Sequence, residues 1–139
     1  MKYTVCFLFN EDLTEVLLMH KTKSQYAGKL NGVGGKIEES DESPELGATR
    51  EIFEETGIEY IDTFGFLVRC SYPSGTELYV YFGIVNKNEV KQIEDELLEW
   101  FPINDVLKAN IDDKRFAGEG NLQYFVNAAL IELMSWKIE

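Results

Sequence analysis

The stretch Gly34-Gly35-Lys36-Ile37-Glu38-Glu39-Ser40-Asp41-Glu42-Ser43-Pro44-Glu45-Leu46-Gly47-Ala48-Thr49-Arg50-Glu51-Ile52-Phe53-Glu54-Glu55-Thr56-Gly57-Ile58 decides how this chain is read, because a glycine-rich loop runs directly into a helix that carries clustered carboxylates. Ser43 is a favoured N-cap, Pro44 suits the first helical position, Glu45 complements the positive end of the helix dipole, and Gly57 supplies a left-handed stop. The pattern predicts a helix from Pro44 to the residue before Gly57. Within it Glu51, Glu54 and Glu55 stand at i, i+3 and i+4, so their side chains share one face. Leu46, Ile52, Phe53 and Thr56 fall elsewhere and form the expected inward face. Glu51 and Glu55 repel across one turn by roughly a few tenths of a kcal/mol, and inside the helix only Arg50, four residues before Glu54, offsets them. Taken alone, three helical glutamates also suit a solvated acidic face. The loop in front gives them a second reading. Hard cations such as Mg²⁺ take oxygen ligands, bind through one or two carboxylates plus substrate phosphate oxygens, and need small residues where a phosphate approaches the backbone.

Outward from this segment, strands and helices alternate with short loops. Tyr3 to Phe9 and Glu15 to His20 read as strands separated by the turn Asn10-Glu11-Asp12. Ile61 to Tyr72 and Glu77 to Val85 are β-rich runs joined by Pro73-Ser74-Gly75, a hairpin signal. Leu97 to Phe101 is a short strand before Pro102, and Ile103 to Lys108 a short helix. From Asn121 the apolar residues Leu122, Phe125, Val126, Ala129, Leu130, Leu133 and Met134 recur at helical spacing, which predicts a final amphipathic helix whose apolar face is core. The expected class is α/β, with a mixed β-sheet between helices.

Composition suits one small globular domain over residues 1–139: 45% of the residues are hydrophobic and 27% charged. No apolar run reaches membrane-spanning length, and Met1-Lys2-Tyr3-Thr4-Val5 reads straight into a strand, so a cytoplasmic location is expected. Cys6 and Cys70 lie singly in apolar runs, as small hydrophobes rather than metal ligands or a disulfide. The net charge of −12 argues against a nucleic acid polymer or an anionic membrane as partner. Its distribution says more. From His20 to Ile37 the chain carries Lys21, Lys23, Lys29 and Lys36 and no acid. A polyphosphate beside a carboxylate-held metal needs such cations, and Lys21 and Lys36 are the chosen phosphate contacts. His20, the single histidine, ends a strand and reads as structural.

The segment resembles the box of the Nudix (MutT-like) hydrolases: Gly, five residues, Glu, seven residues, then Arg-Glu-aliphatic-any-Glu-Glu-any-Gly-aliphatic. Here Glu42 is followed by seven residues and then by Arg50-Glu51-Ile52-Phe53-Glu54-Glu55-Thr56-Gly57-Ile58. Six residues, not five, separate Gly35 from Glu42, an extension that costs a loop little but shifts Glu42 relative to the glycines. The resemblance implies a Nudix-type α/β/α sandwich and a metal-dependent pyrophosphatase acting on a small-molecule nucleotide, as monomer or homodimer. By position it implies that Glu51, Glu54, Glu55 and the Gly34 carbonyl hold Mg²⁺, or Mn²⁺, while Arg50 orients a box glutamate through a charge-assisted hydrogen bond. Cations so held neutralise a diphosphate, stabilise the leaving oxygen and acidify the attacking water. The general base is left between Glu55 and an acid from a later loop. For the latter, Glu96 in Glu94-Asp95-Glu96 is the candidate, as a further ligand or base.

For the substrate, two branches of the family compete. Lys29-Leu30-Asn31-Gly32-Val33-Gly34-Gly35-Lys36 resembles the segment of the oxidised-purine nucleoside triphosphatases in which an asparagine matching Asn31 contacts the base. Asp112-Asp113 follow Trp100-Phe101 where that branch has an acid pair facing the purine edge, and one protonated and one ionised carboxyl suit that task. This reading implies hydrolysis of a triphosphate such as 8-oxo-dGTP to monophosphate and pyrophosphate. The branch has a tryptophan where this chain has Asn110, which leaves Tyr26 to stack on the base or simply to pack. Against it, Pro73, sixteen residues beyond Gly57, is similar to the ADP-ribose pyrophosphatases of the same family. A nucleotide-sensing domain without catalysis is a further possibility, although degenerate members lose box carboxylates that this chain keeps.

Overall fold

The computed structural model describes residues 1–23 and 26–138. Among these residues seven strands and three α-helices follow one another as β1 (Lys2–Phe9), β2 (Glu15–His20), β3 (Leu30–Asn31), β4 (Val33–Lys36), α1 (Pro44–Thr56), β5 (Thr63–Ser71), β6 (Glu77–Ile84), β7 (Leu98–Pro102), α2 (Ile103–Lys108) and α3 (Asn121–Ile138), with a short 3-10 turn at Lys87–Glu89. β6 runs parallel to β1 along its whole length, from Lys2↔Glu77 to Phe9↔Ile84. The other side of β1 is divided: Tyr3 to Cys6 pair with β4, and Leu8 and Phe9 pair with β2. β2 in turn pairs with β7 and, at Met19 and His20, with β3. β1 and β2 therefore splay apart at one end, and the segment from Leu30 to Lys36 fills the gap.

This corrects the expectation of a glycine loop. Gly34 and Gly35 are strand residues in register with Val5 and Thr4. They provide room rather than a turn: a Cβ on Gly34 would run into the Thr4 carbonyl, and one on Gly35 would stand 2.6 Å from the Glu51 carboxylate.

Alternation along the strands sends their side chains to two cores, as a sheet covered on both faces requires. Val5, Phe7, Phe9, Val16, Leu18, Val80 and Phe82 pack with Ile103, Val106, Leu122, Phe125 and Leu133 of α2 and α3. Cys6, Leu8, Leu17 and Tyr81 pack with Ala48 and Ile52 of α1. The result is the expected α/β/α sandwich with a mixed sheet. No described helix is long and apolar enough to cross a membrane.

α1 has the predicted ends. Ser43 Oγ accepts from the Leu46 N–H, and Gly57 takes the left-handed conformation at φ 78° while its N–H reaches the Phe53 carbonyl. Its inward face differs from expectation. Ile52 and Thr56 are buried with Gly47, Ala48 and Glu55, whereas Leu46 and Phe53 are each 47% exposed. The small residues let α1 lie close to β4, and that approach leaves the larger side chains outside. Cys6 is buried and Cys70 half-buried, both free thiols; burial pushes the Cys6 thiol up.

Candidate active site

The close packing of α1 on β4 fixes where the carboxylates stand. Glu51 lies against Gly35, one turn before Glu55, which is buried on the same helix. Arg50 lies between the acids. Its Nη1 donates to both oxygens of Glu54 at 3.0 Å and to Glu51 Oε1 at 3.3 Å, and its Nη2 reaches the Lys36 carbonyl at 3.2 Å. Its other edge meets Asp41, at 2.9 Å from Nε and 3.0 Å from Nη2. The Asp41 hydrogen bond chiefly holds the guanidinium above its ordinary pKa.

Glu55 is the anomaly. Its Oε2 is buried and has no hydrogen-bond partner, an arrangement that normally costs on the order of 1–3 kcal/mol. Burial first, and the Glu51 charge second, push its carboxyl up to about 8. Burial likewise raises Glu51. Of these two desolvated acids Glu51 meets Arg50 at 3.3 Å and Glu55 carries an orphaned oxygen, and oxygen donors of this kind suit a hard divalent ion. Among the described residues, no three carboxylate, imidazole or thiolate side chains converge as they stand on a single metal position. Glu54 is turned onto Arg50. Glu51 and Glu55 thus fit a metal, and Glu54 fits one by turning one of its two oxygens to it while Arg50 keeps the other.

Behind β4 opens a cavity of about 490 Å³. Val5, Leu78, Leu122 and Phe125 give it apolar walls, Tyr3, Tyr26 and Tyr72 add rings, and Asn31, Thr76 and Asn121 add neutral polar groups. Lys21, Gly34, Gly35 and Lys36 form the end nearest α1. Asn31, Lys21 and Lys36 thus line one cavity. Lys21 is already engaged: its Nζ lies 2.9 Å from Glu96 Oε1.

Glu96 also accepts from Thr22 N at 2.6 Å, Thr22 Oγ1 at 3.3 Å and Lys23 N at 3.3 Å. Burial raises its carboxyl, but the bonds from Lys21, Thr22 and Lys23 outweigh it and leave the pKa below the usual value. That is the bonding of a tether, and of the two candidate bases Glu55 has the bond-free oxygen. Asp112 and Asp113 do not line the cavity. Asp112 is exposed, and Asp113 folds back onto Arg115 at 3.0 Å. His20 faces Glu99 at 2.7 Å across the β2–β7 pair, away from the carboxylates of α1. Tyr3, Tyr72, Asn121 and Phe125 are cavity residues that the sequence did not reveal, because they carry no motif and come from β1, the β5–β6 turn and α3.

The NUDIX domain family model matches residues 2–118. Among solved structures, the NUDIX domain of Shewanella oneidensis NrtR complexed with ADP ribose is similar at a TM-score of 0.74, with 22% identity over 96% of this chain and 88% of that one. MutT, from a study of the Aliivibrio salmonicida and Vibrio cholerae proteins, gives 0.70, with 18% identity over 91% and 95%. NrtR complexed with a 27mer DNA gives 0.75, with 23% identity over 96% of this chain and 62% of that longer one. Likeness at these identities speaks to the fold, and what each of these proteins binds is a property of that protein.

Proposed function

This chain belongs to the NUDIX domain family, and we propose that, among its pyrophosphohydrolases, it cleaves a nucleoside triphosphate to nucleoside monophosphate and pyrophosphate with Mg²⁺. The carrying observation is that one strand borders both halves of the site. Gly35 leaves the Glu51 carboxylate the space that a Cβ would take and also lines the cavity, so a nucleoside in the cavity directs its phosphates toward α1.

Nudix enzymes generally use divalent metal ions. In this reading Glu51, Glu54, Glu55 and the Gly34 carbonyl hold the metal, which supplies charge neutralisation and a more acidic attacking water. The remaining work belongs to the chain. Lys21 and Lys36 bind phosphate oxygens as point charges at the cavity end. Glu55 in its ionised form takes the proton of the attacking water, a form that burial disfavours near neutral pH and a neighbouring cation favours. Arg50 keeps Glu51 and Glu54 in place. Asn31 and Asn121 read the base edge through amide donors and acceptors, while the tyrosines and Phe125 stack on its face. Asp112 and Asp113 have no place in this account of base recognition, which weakens the case for an oxidised purine over an ordinary one.

A second reading, hydrolysis of ADP-ribose or another nucleoside diphosphate linked to a further group, has its own support. Tyr72 and Thr76, which flank the Pro73 turn, line the cavity and are available to a second sugar. Chromatographic analysis of products from purine triphosphates, oxidised purine triphosphates, ADP-ribose and diadenosine polyphosphates with Mg²⁺ tests both. Monophosphate plus pyrophosphate supports the first reading. AMP from ADP-ribose with triphosphates intact replaces it by the second, and nucleotide binding without turnover would contradict both.

A further inference from the structure

We propose that Asp41, and not the motif glutamate Glu42, is the residue that positions Arg50 and, through it, Glu51 and Glu54. The inference rests on the reading of the α1 carboxylates given above. The one-residue extension of the loop offers two acids for one place. Counted from Gly35, Asp41 stands after five residues; counted back from Arg50, Glu42 stands before seven.

The structure separates them. The Asp41 side chain is 5% exposed and turns both oxygens to Arg50, Oδ1 toward Nε and Oδ2 toward Nη2. Oδ2 also accepts from the Glu38 N–H at 2.8 Å, which closes the loop on itself. Gly47 leaves room for this approach, since a Cβ there would sit a tight 3.1 Å from Asp41 Oδ2. Glu42 is exposed and takes no part in these contacts. A guanidinium gripped along one edge presents its remaining donor at a single place. In this chain that donor, Nη1, meets Glu54 and Glu51. Asp41 thus sets where the two carboxylates stand without touching the substrate. It is a positioning residue.

The test compares D41N, E42Q, R50K and the D41N/R50K double variant by steady-state kinetics, calorimetric Mg²⁺ titration and thermal melting. The account expects D41N to lower kcat by about tenfold or more, in line with loss of an outer partner of a metal ligand, at near-constant KM and with weaker Mg²⁺ binding. E42Q stays close to wild type, and D41N adds little once Arg50 is lysine. Near-normal kcat and Mg²⁺ affinity in D41N, an undiminished D41N effect in the R50K background, or a loss carried by E42Q instead would overturn it. Should D41N fail to fold, D41E, which keeps the charge but not the fit beside Gly47, is read by the same criteria. E54Q separates the two levels: full activity there sinks the reading of the α1 carboxylates, whereas an inactive E54Q beside a fully active D41N sinks only the assignment of Asp41.

Discussion

Glu55 holds a bare oxygen in the protein interior, and the consequence is measurable without any substrate. Its carboxyl is raised from the usual 4.5 to about 8 in the folded protein, so between these values the folded chain retains a proton that the unfolded chain releases. By linkage, its contribution to stability is intact below pH 4.5, is lost as pH rises toward 8, and levels off above that. We predict that the metal-free protein loses stability over this window, on the order of a few kcal/mol, and that the loss shrinks in E55Q and on adding Mg²⁺. Urea titrations at pH 5 and pH 8 measure it, and identical slopes in wild type and E55Q would mean that Glu55 is solvated. Its position on the carboxylate face was legible from spacing alone. Its burial was not, because burial depends on how closely α1 approaches β4.

At the scale of elements, α1 was the most legible, since its start and stop are local chemistry: a serine cap, a proline at the first position and a left-handed glycine. The hairpin around Pro73-Ser74-Gly75 was legible for the same reason. β3 and β4 were not. Glycine has little strand propensity, and the pairing of Gly34 and Gly35 with Val5 and Thr4 joins residues far apart in sequence. The two glycines predict different failures. Ala at Gly34 drives a methyl into backbone, and G34A should cost on the order of 3 kcal/mol or more, the size seen for severe overpacking. Ala at Gly35 meets only the end of the Glu51 side chain. G35A should therefore fold with a Tm near that of wild type, yet lose most of its kcat and bind Mg²⁺ more weakly. Equal Tm losses in the two variants would show that both glycines serve packing alone.

The whole molecule assembles its cavity from β1, β4, the loop before β3, the β5–β6 turn and the start of α3. Lys21, Lys36, Asn31, Tyr26 and the glycines Gly34 and Gly35 were legible as candidates, through the acid-free run and the family pattern. Tyr3, Tyr72, Asn121 and Phe125 meet by topology, and no local signal marks them. Stacking of a base on an aromatic ring is worth about 1–3 kcal/mol, so Y72A should raise KM roughly tenfold with kcat nearly unchanged, as loss of uniform binding does. A fall in kcat at constant KM would place Tyr72 in the chemistry instead.

The most direct measurement is a crystal structure of the protein with Mn²⁺ and a nucleoside triphosphate analogue that resists hydrolysis, the metal being located by its anomalous signal. The account predicts manganese bound by Glu51, Glu54 and Glu55, and the base in the cavity against Tyr26, Tyr72 or Phe125. Manganese held elsewhere, or a base outside that cavity, would contradict it.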